Sequence, residues 1–333
     1  MAGPQEAQDI EEKLLGGPTR YTREQVEERS GIPEEQARAI WRALGFPVPP
    51  DDEVAFTEGD LLALREIKEL LAHDLVDEDM VLRLSRAVGQ TMGRLASWLG
   101  DVWLQRFSER LPPDEPVTEE AVIAALEATE ELRPAFERLL MHGWRRQLAA
   151  AGLRAAGATA TATADPAAGV ARLATGFADI VSFTRMSRRM EGGELAEFVE
   201  RFETTVTEIV AEHGGRIIKT LGDEVLFVAD DPAAAAEIGL GVAGRCEDDP
   251  GFPRVRVGMA YGEVVLRLGD VFGTPVNMAA RLTATAYPGT VLADGDLAAA
   301  LPSGAYDISS LRPRPLQGLG RVRPRLLRRP RTT

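Results

Sequence analysis

The chain contains a single cysteine, Cys246, so no internal disulfide can brace it. It has no run of roughly 18 to 20 apolar residues, the length a membrane-spanning helix needs. Its first residues, MAGPQEAQDIEEKLL, are acidic and lack a basic flank followed by an apolar core, so no secretory leader is expected. Together these absences point to a soluble cytoplasmic protein without stable membrane insertion. What is present is ordinary globular composition, 44% hydrophobic and 27% charged over 333 residues. That is enough chain for two domains, each with its own core.

The net charge of −14 is unevenly spread. Residues 1–165 carry 31 acidic and 18 basic side chains, a balance of −13; residues 166–333 carry 21 and 20, a balance of −1. An acidic front half is a poor partner for nucleic-acid phosphates. The last 22 residues hold eight arginines: Arg312, Arg314, Arg321, Arg323, Arg325, Arg328, Arg329 and Arg331. They read either as a solvated, partly disordered tail or as a basic strip that meets an acidic surface such as the front half.

Residues 155–169, AAGATATATADPAAG, are small, nearly uncharged and without periodicity, which predicts a linker between residues 1–154 and 170–333. In front of it the signals are helical. Thr22 and Pro33 are placed to start helices on either side of a turn at 30–33, and Thr57 to start a third carrying Leu61, Leu64, Ile67 and Leu71. Longer amphipathic stretches cover 80–111 and 118–148, the second interrupted at Pro134. No strand pattern competes, so this domain reads as all-α. After the linker, strand patterns at 171–181, 216–219 and 224–228 alternate with helical ones at 192–213 and 231–246. A strand pair at 255–261 and 263–268 turns at Gly262, and a helix covers 274–286. That alternation predicts an α+β domain with helices against a sheet.

Asp179 lies at the end of the apolar strand in ATGFADIVSFT, where an unpaired charge is expensive to bury. Asp223 lies in the tight turn of KTLGDEVLFV. If those strands are neighbours, the two carboxylates meet at one edge of the sheet and suit Mg²⁺ beside a phosphate. Taken singly, each is equally well a turn or cap residue. In GDVFGTPVNMAARLTA, Asn277 and Arg281 are four apart on one helix face. An arginine fork clamps phosphate and an asparagine amide orients a ribose, although alone this is an ordinary polar face.

FADIVSFT, KTLGDEVLF and the D-x6-N-x3-R run of Asp270, Asn277 and Arg281, in this order and spacing, resemble the catalytic domain of class III adenylyl cyclases. The likeness covers about 172–322. It implies a ferredoxin-like catalytic domain in which Asp179 and Asp223 hold two divalent ions, Mg²⁺ or Mn²⁺. It also implies that Lys219 donates to adenine N1, Asp270 accepts from the 6-amino group, Asn277 positions the ribose and Arg281 stabilises the pentavalent phosphate. The backbone amides of Ile180, Val181, Ser182, Phe183 and Thr184 would cradle phosphates. Guanylyl cyclases of the family usually carry Glu and Cys in place of Lys219 and Asp270, so the implied substrate is ATP and the product cyclic AMP. In the family the aspartates of one subunit face the other four residues of its partner, which implies a homodimer with two composite sites. One departure is plain: the family's C-terminal Lys-Gly reads Leu316-Gln317-Gly318-Leu319 here, leaving Arg321 or Arg323 as substitutes. A cyclase-fold ATP sensor is the alternative, against which all six polar positions are intact.

The front half resembles, in layout, the N-terminal helical domain that restrains the catalytic dimer in actinobacterial cyclases. This implies an autoinhibitory, dimerising domain answering to pH or a lipid. Histidine is the side chain that changes charge near neutrality, which puts forward His142 and His213. The methionine-rich and aromatic stripe from Met80 to Met141 lines a pocket for a fatty acid or lipid, or is plain helix–helix core. Residues 21–46 also look like a MerR-type helix-turn-helix, which would make the chain a DNA-binding regulator. Its Arg38 and Arg42 are offset by Glu34 and Glu35, so no nucleic-acid partner is expected.

Overall fold

The structure, a computed structural model, describes residues 12–108, 118–160, 164–165 and 169–330. The chain divides into two compact units, Met1–Gln147 and Leu148–Thr333.

The first unit is built on local helix signals. Thr22 accepts from the Gln25 N–H while the Gln25 side chain accepts from the Thr22 N–H, and this capping box opens α1 (Arg23–Ser30). Gly31, at φ 68°, closes it in the left-handed conformation. Pro33 precedes α2 (Glu34–Leu44), and Thr57 with Asp60 boxes the start of α3 (Glu58–Leu71). α4 (Glu78–Ser108) and α5 (Glu119–Ala160) follow. Val26, Ile40, Trp41, Phe56, Leu64 and Val81 form the core. The bridge Tyr21–Phe56 is the extended pairing among this unit's described residues.

Two expectations are corrected here. α5 does not break at Pro134 but runs through it. A proline inside a helix costs about 3 kcal/mol, a local loss that the turns on either side outweigh in a helix of 42 residues. The helix also continues to Ala160, over the first six residues of the expected linker. Within one chain the stripe starting at Met80 lies open, with Met80, Leu84, Val88, Met92, Trp98 and Val102 exposed along α4. As for the helix-turn-helix, Arg38 on α2 is ion-paired with Glu34, and the buried Arg23 is held by Glu27, Glu34 and Asp51. That spends basic charge a DNA reader would present.

In the second unit, chain order is β1 (Ala164–Asp165), β2 (Val170–Ile180), α6 (Phe183–Ser187), α7 (Gly192–Glu212), β3 (Arg216–Thr220) and β4 (Glu224–Ala229). Then come α8 (Pro232–Asp248), β5 (Val255–Arg267), β6 (Asp270–Phe272), α9 (Thr274–Thr285), β7 (Val291–Ala293) and α10 (Gly295–Ala300). β8 (Asp307–Ser310), β9 (Arg314–Leu316), β10 (Gly320–Val322) and β11 (Arg325–Arg328) complete it. The described strands order as β3–β4–β2–β5–β7–β11–β8, with β1 on β2, β6 on β5, and β9–β10 as a separate ribbon. Only β5–β7 is parallel among the described pairs.

Both sheet faces are covered, so β2 is apolar almost throughout. Ala174, Ala178 and Ile180 point into the core shared with α7, α8 and α10, whereas Leu173 and Phe177 point to the face under α9. The fold is α+β, as its alternating elements imply.

Gly262 is not a turn. β5 passes straight through it as a 13-residue strand. A Cβ at Gly262 would stand 2.9 Å from Pro275 Cγ, so the glycine marks where the first turn of α9 crosses the sheet. Nor is the arginine-rich end a loose tail: β11 inserts between β7 and β8, Leu327 is buried, and Arg329 pairs with Glu237 at 3.2 Å.

Asp294 illustrates a stability term set by burial. It caps α10 by accepting the Leu297 N–H at 2.8 Å, and burial pushes its carboxyl up to about 6. A raised folded-state pKa means its stabilising contribution is complete below the unfolded carboxylate range and is lost as pH rises through about 6. Asp294→Asn keeps an N-cap acceptor and removes the buried charge. At pH 8 it is expected to gain about 1–2 kcal/mol, a fraction of the full shift because the group is not fully buried. Urea titrations of both proteins at pH 4.5 and 8 check this, and an Asn variant with wild-type pH dependence would refute it.

Candidate active site

The register of the sheet sets the site. Asp179 stands opposite Glu224 on β4 and Arg256 on β5, and the Ile180 N–H donates to the Asp223 carbonyl at 2.9 Å. The Asp223 turn is therefore pinned beside the end of β2. Asp179, Glu224 and Arg256 share the α9 face by strand alternation. A bulge between Ile217 and Lys219 pairs Lys219 with Leu226, on that same face.

The first charged group is Asp179, Asp223, Glu224 and Arg256. Arg256 donates from Nε to Asp179 Oδ2 at 2.6 Å, with Nη2 at 2.5 Å from the same oxygen. Burial raises the Asp179 carboxyl and Asp223 adds to that, while Arg256 opposes both; the net direction is up. Glu224 is pushed up to about 6, first by burial and then by Asp179 and Asp223. Three crowded acids answered by one arginine make a site that favours cations.

The second group is Lys219 and Asp270, with Nζ donating to Oδ2 at 2.6 Å. Burial alone would raise Asp270, but the Lys219 ammonium and the Val271 N–H outweigh it and the carboxyl is lowered. Asn277 and Arg281 lie one turn apart on α9, both exposed. Neither has a side-chain partner among the described residues. No hydrogen bond or ion pair among the described residues joins the two charged groups.

Of the five expected phosphate-cradling amides, two are already engaged. Ile180 N–H donates to Asp223 and Val181 N–H to the Arg254 carbonyl, both at 2.9 Å, which leaves Ser182, Phe183 and Thr184. Ser182 holds φ 62°, ψ 28°, a left-handed conformation that turns the chain from β2 into α6. A serine there is strained by about 1 kcal/mol. Ser182→Gly is expected to be near neutral in stability, and Ser182→Val to cost about 2 kcal/mol, because a β-branched side chain tolerates that region poorly. Denaturant midpoints measure both.

Arg256 and Glu224 escaped the sequence reading. The signal for Arg256 was a charge between Val255 and Val257 in an otherwise apolar strand, which needs a buried partner. Gln317 is exposed at the tip of the β9–β10 ribbon, where Leu319 N–H closes the turn on the Leu316 carbonyl. Among the described residues no cluster of three or more Asp, Glu, His or Cys forms a closed metal cage. The Asp179–Asp223 pair, whose first carboxylate already holds a guanidinium, still suits a divalent ion that completes its shell with water and phosphate.

The profile of the adenylate and guanylate cyclase catalytic domain matches residues 169–327. An adenylate cyclase of Streptomyces coelicolor is 41% identical over 347 residues, spanning 96% of this chain and 89% of that protein. One from Streptomyces griseus is 42% identical over 87% of this chain and 70% of that protein. The pH-sensitive adenylate cyclase of Mycobacterium tuberculosis is 28% identical over 89% of this chain and 74% of that one. The chain belongs to the class III cyclase family and is an enzyme, a phosphorus–oxygen lyase. No described helix is long and apolar enough to cross a membrane.

Proposed function

We propose that the chain is an adenylate cyclase that converts ATP into 3′,5′-cyclic AMP and pyrophosphate at two composite sites of a homodimer. The observation that carries the base choice is the Lys219–Asp270 pair, a donor next to an acceptor. Adenine offers N1 as acceptor and its 6-amino group as donor, so it satisfies both; guanine satisfies neither.

In this reading Asp179 and Asp223 hold two divalent ions, Mg²⁺ or Mn²⁺, which supply charge neutralisation and activate the ribose 3′-hydroxyl when bound. Asn277 orients the ribose so that its 3′-oxygen lines up with the α-phosphorus. The O3′–P bond forms as the bond to the bridging α,β-oxygen breaks, and the hydroxyl proton leaves to solvent. Arg281 stabilises the charge on the pentavalent phosphorus. The free amides of Ser182, Phe183 and Thr184 face the phosphates.

The helical front unit is the regulator, and it restrains the catalytic dimer. The exposed stripe of α4 fits a helix–helix contact with a second copy. Burial raises the Glu27 carboxyl beside Arg23, so acidification discharges it before ordinary surface acids.

The test is full-length protein with ATP or GTP, Mg²⁺ or Mn²⁺, from pH 5.5 to 8, with product read by mass and Asp223→Ala as control. Cyclic AMP from ATP alone, lost in the control, is expected. Removal of residues 1–147 should raise the rate at the pH where the whole chain is slowest. A truncated protein no faster than the whole chain at any pH rules out restraint.

A further inference from the structure

α9 rests on bare strand backbone. A Cβ at Gly258 of β5 would stand 2.5 Å from the Ala279 carbonyl oxygen and 2.6 Å from Thr283 Oγ1, so glycine alone allows the approach. Thr283, 1% exposed, uses that closeness. Its hydroxyl lies 2.9 Å from the Ala279 carbonyl oxygen and 3.2 Å from that of Phe177. The first contact is the i−4 bond open to any helical threonine. The second crosses from helix to sheet, and the single hydroxyl proton is shared between the two carbonyl acceptors.

Packing does not call for an oxygen here. Valine has nearly the same shape, and a buried hydroxyl is tolerated only because it is bonded. The places it connects are informative. Phe177 precedes Asp179 by two residues and shares its face of β2. Arg281 and Asn277 precede Thr283 by two and six residues on α9. Arg256 adds a parallel tie, reaching from Asp179 to the Ala284 carbonyl at 3.2 Å. The last turn of the catalytic helix is thus fastened to the strand that carries a metal-binding carboxylate.

We propose that Thr283 is a positioning residue, whose hydroxyl sets the placement of Asn277 and Arg281 relative to the Asp179 strand. The inference rests on the cyclase reading above. In that reading the aspartates and the helix of one protomer serve opposite sites of the dimer. One strap per protomer therefore holds the geometry of both sites, and a small slide of α9 moves Arg281 away from the phosphorus it stabilises.

The test compares full-length wild type with Thr283→Val, Thr283→Ser and Thr283→Cys, assayed well below the lowest melting temperature of the set. Thr283→Val should lose about tenfold in kcat with KM kept within about twofold, and Thr283→Ser should return to within about threefold of wild type. Thr283→Cys, a weaker donor of similar size, should fall between them. A Val variant with wild-type kcat, a loss confined to KM, or a Ser variant as slow as Val overturns the proposal. If the Val variant does not fold, equal kcat in the Ser and Cys variants overturns it instead. Wild type that makes no cyclic nucleotide defeats the cyclase reading itself, whereas active wild type beside an equally active Val variant defeats only the role of Thr283.

Discussion

Asp179→Ala and Arg281→Ala are each expected to lose at least about a thousandfold in turnover, yet a mixture of the two should recover about a quarter of wild-type activity. The arithmetic follows from composite sites. With free subunit exchange, half of all dimers are mixed. In a mixed dimer one site combines both lesions, and the other combines the intact aspartate of one protomer with the intact arginine of its partner. One site in four is then whole. Within a protomer, Asp179 is answered by its own Arg256, whereas Arg281 projects unpartnered from α9. Co-expression with two affinity tags and double purification isolates the mixed dimer, whose specific activity should approach half of wild type. Mixed dimers as dead as the parents would mean that each protomer completes its own site.

Much of the catalytic unit was legible in the order and spacing of its polar residues. An aspartate ending an apolar strand, or in a two-strand turn, is singly no more than a turn or cap residue, and Asp179 and Asp223 became candidates only through their order and spacing with Lys219, Asp270, Asn277 and Arg281. Periodicity located α3, α7, α8 and α9 and the strands β2, β3 and β4 to within a residue or two, but it passed over α6, α10 and the short strands from β6 onward, whose three or four residues are too few to show a period. Failures came where a local signal has two physical meanings. Gly262 can mark a turn or a close approach, and only the position of Pro275 decides. Pro134 usually ends a helix, but the 42-residue α5 absorbs it. The arginines after 311 were read by charge, while Leu316 and Leu327 between them settle their fold by burial. Thr283 was invisible for another reason, and Arg256 showed only as a charge in an apolar strand: the partners of both are carbonyls and carboxylates brought near by strand register and helix packing, which no spacing along the chain encodes.

The Lys219–Asp270 pair, proposed above to read the base, gives the second large effect. Lys219→Glu alone should disable the enzyme toward both nucleotides, since two carboxylates then face each other and neither matches adenine N1. Combined with Asp270→Cys, the repulsion disappears. Glutamate accepts from guanine N1–H, and the thiol donates weakly to O6. The double variant is expected to lose about 10²–10³-fold in kcat/KM for ATP and to gain GTP turnover. Sites built on hydrogen bonds can discriminate by more than that, but Lys219 and Asp270 keep about a third of their side-chain surface exposed, and water softens a mismatch. Partial exposure also predicts that the swap is tolerated, because an ion pair this wet contributes at most about 1 kcal/mol to stability. The measurement is kcat/KM for ATP and GTP in wild type, both single variants and the double, beside their melting temperatures. A double variant that folds normally but keeps the wild-type ATP-to-GTP ratio would mean the base is read elsewhere. A ratio inverted with folding intact would assign the reading of the ring to these two side chains.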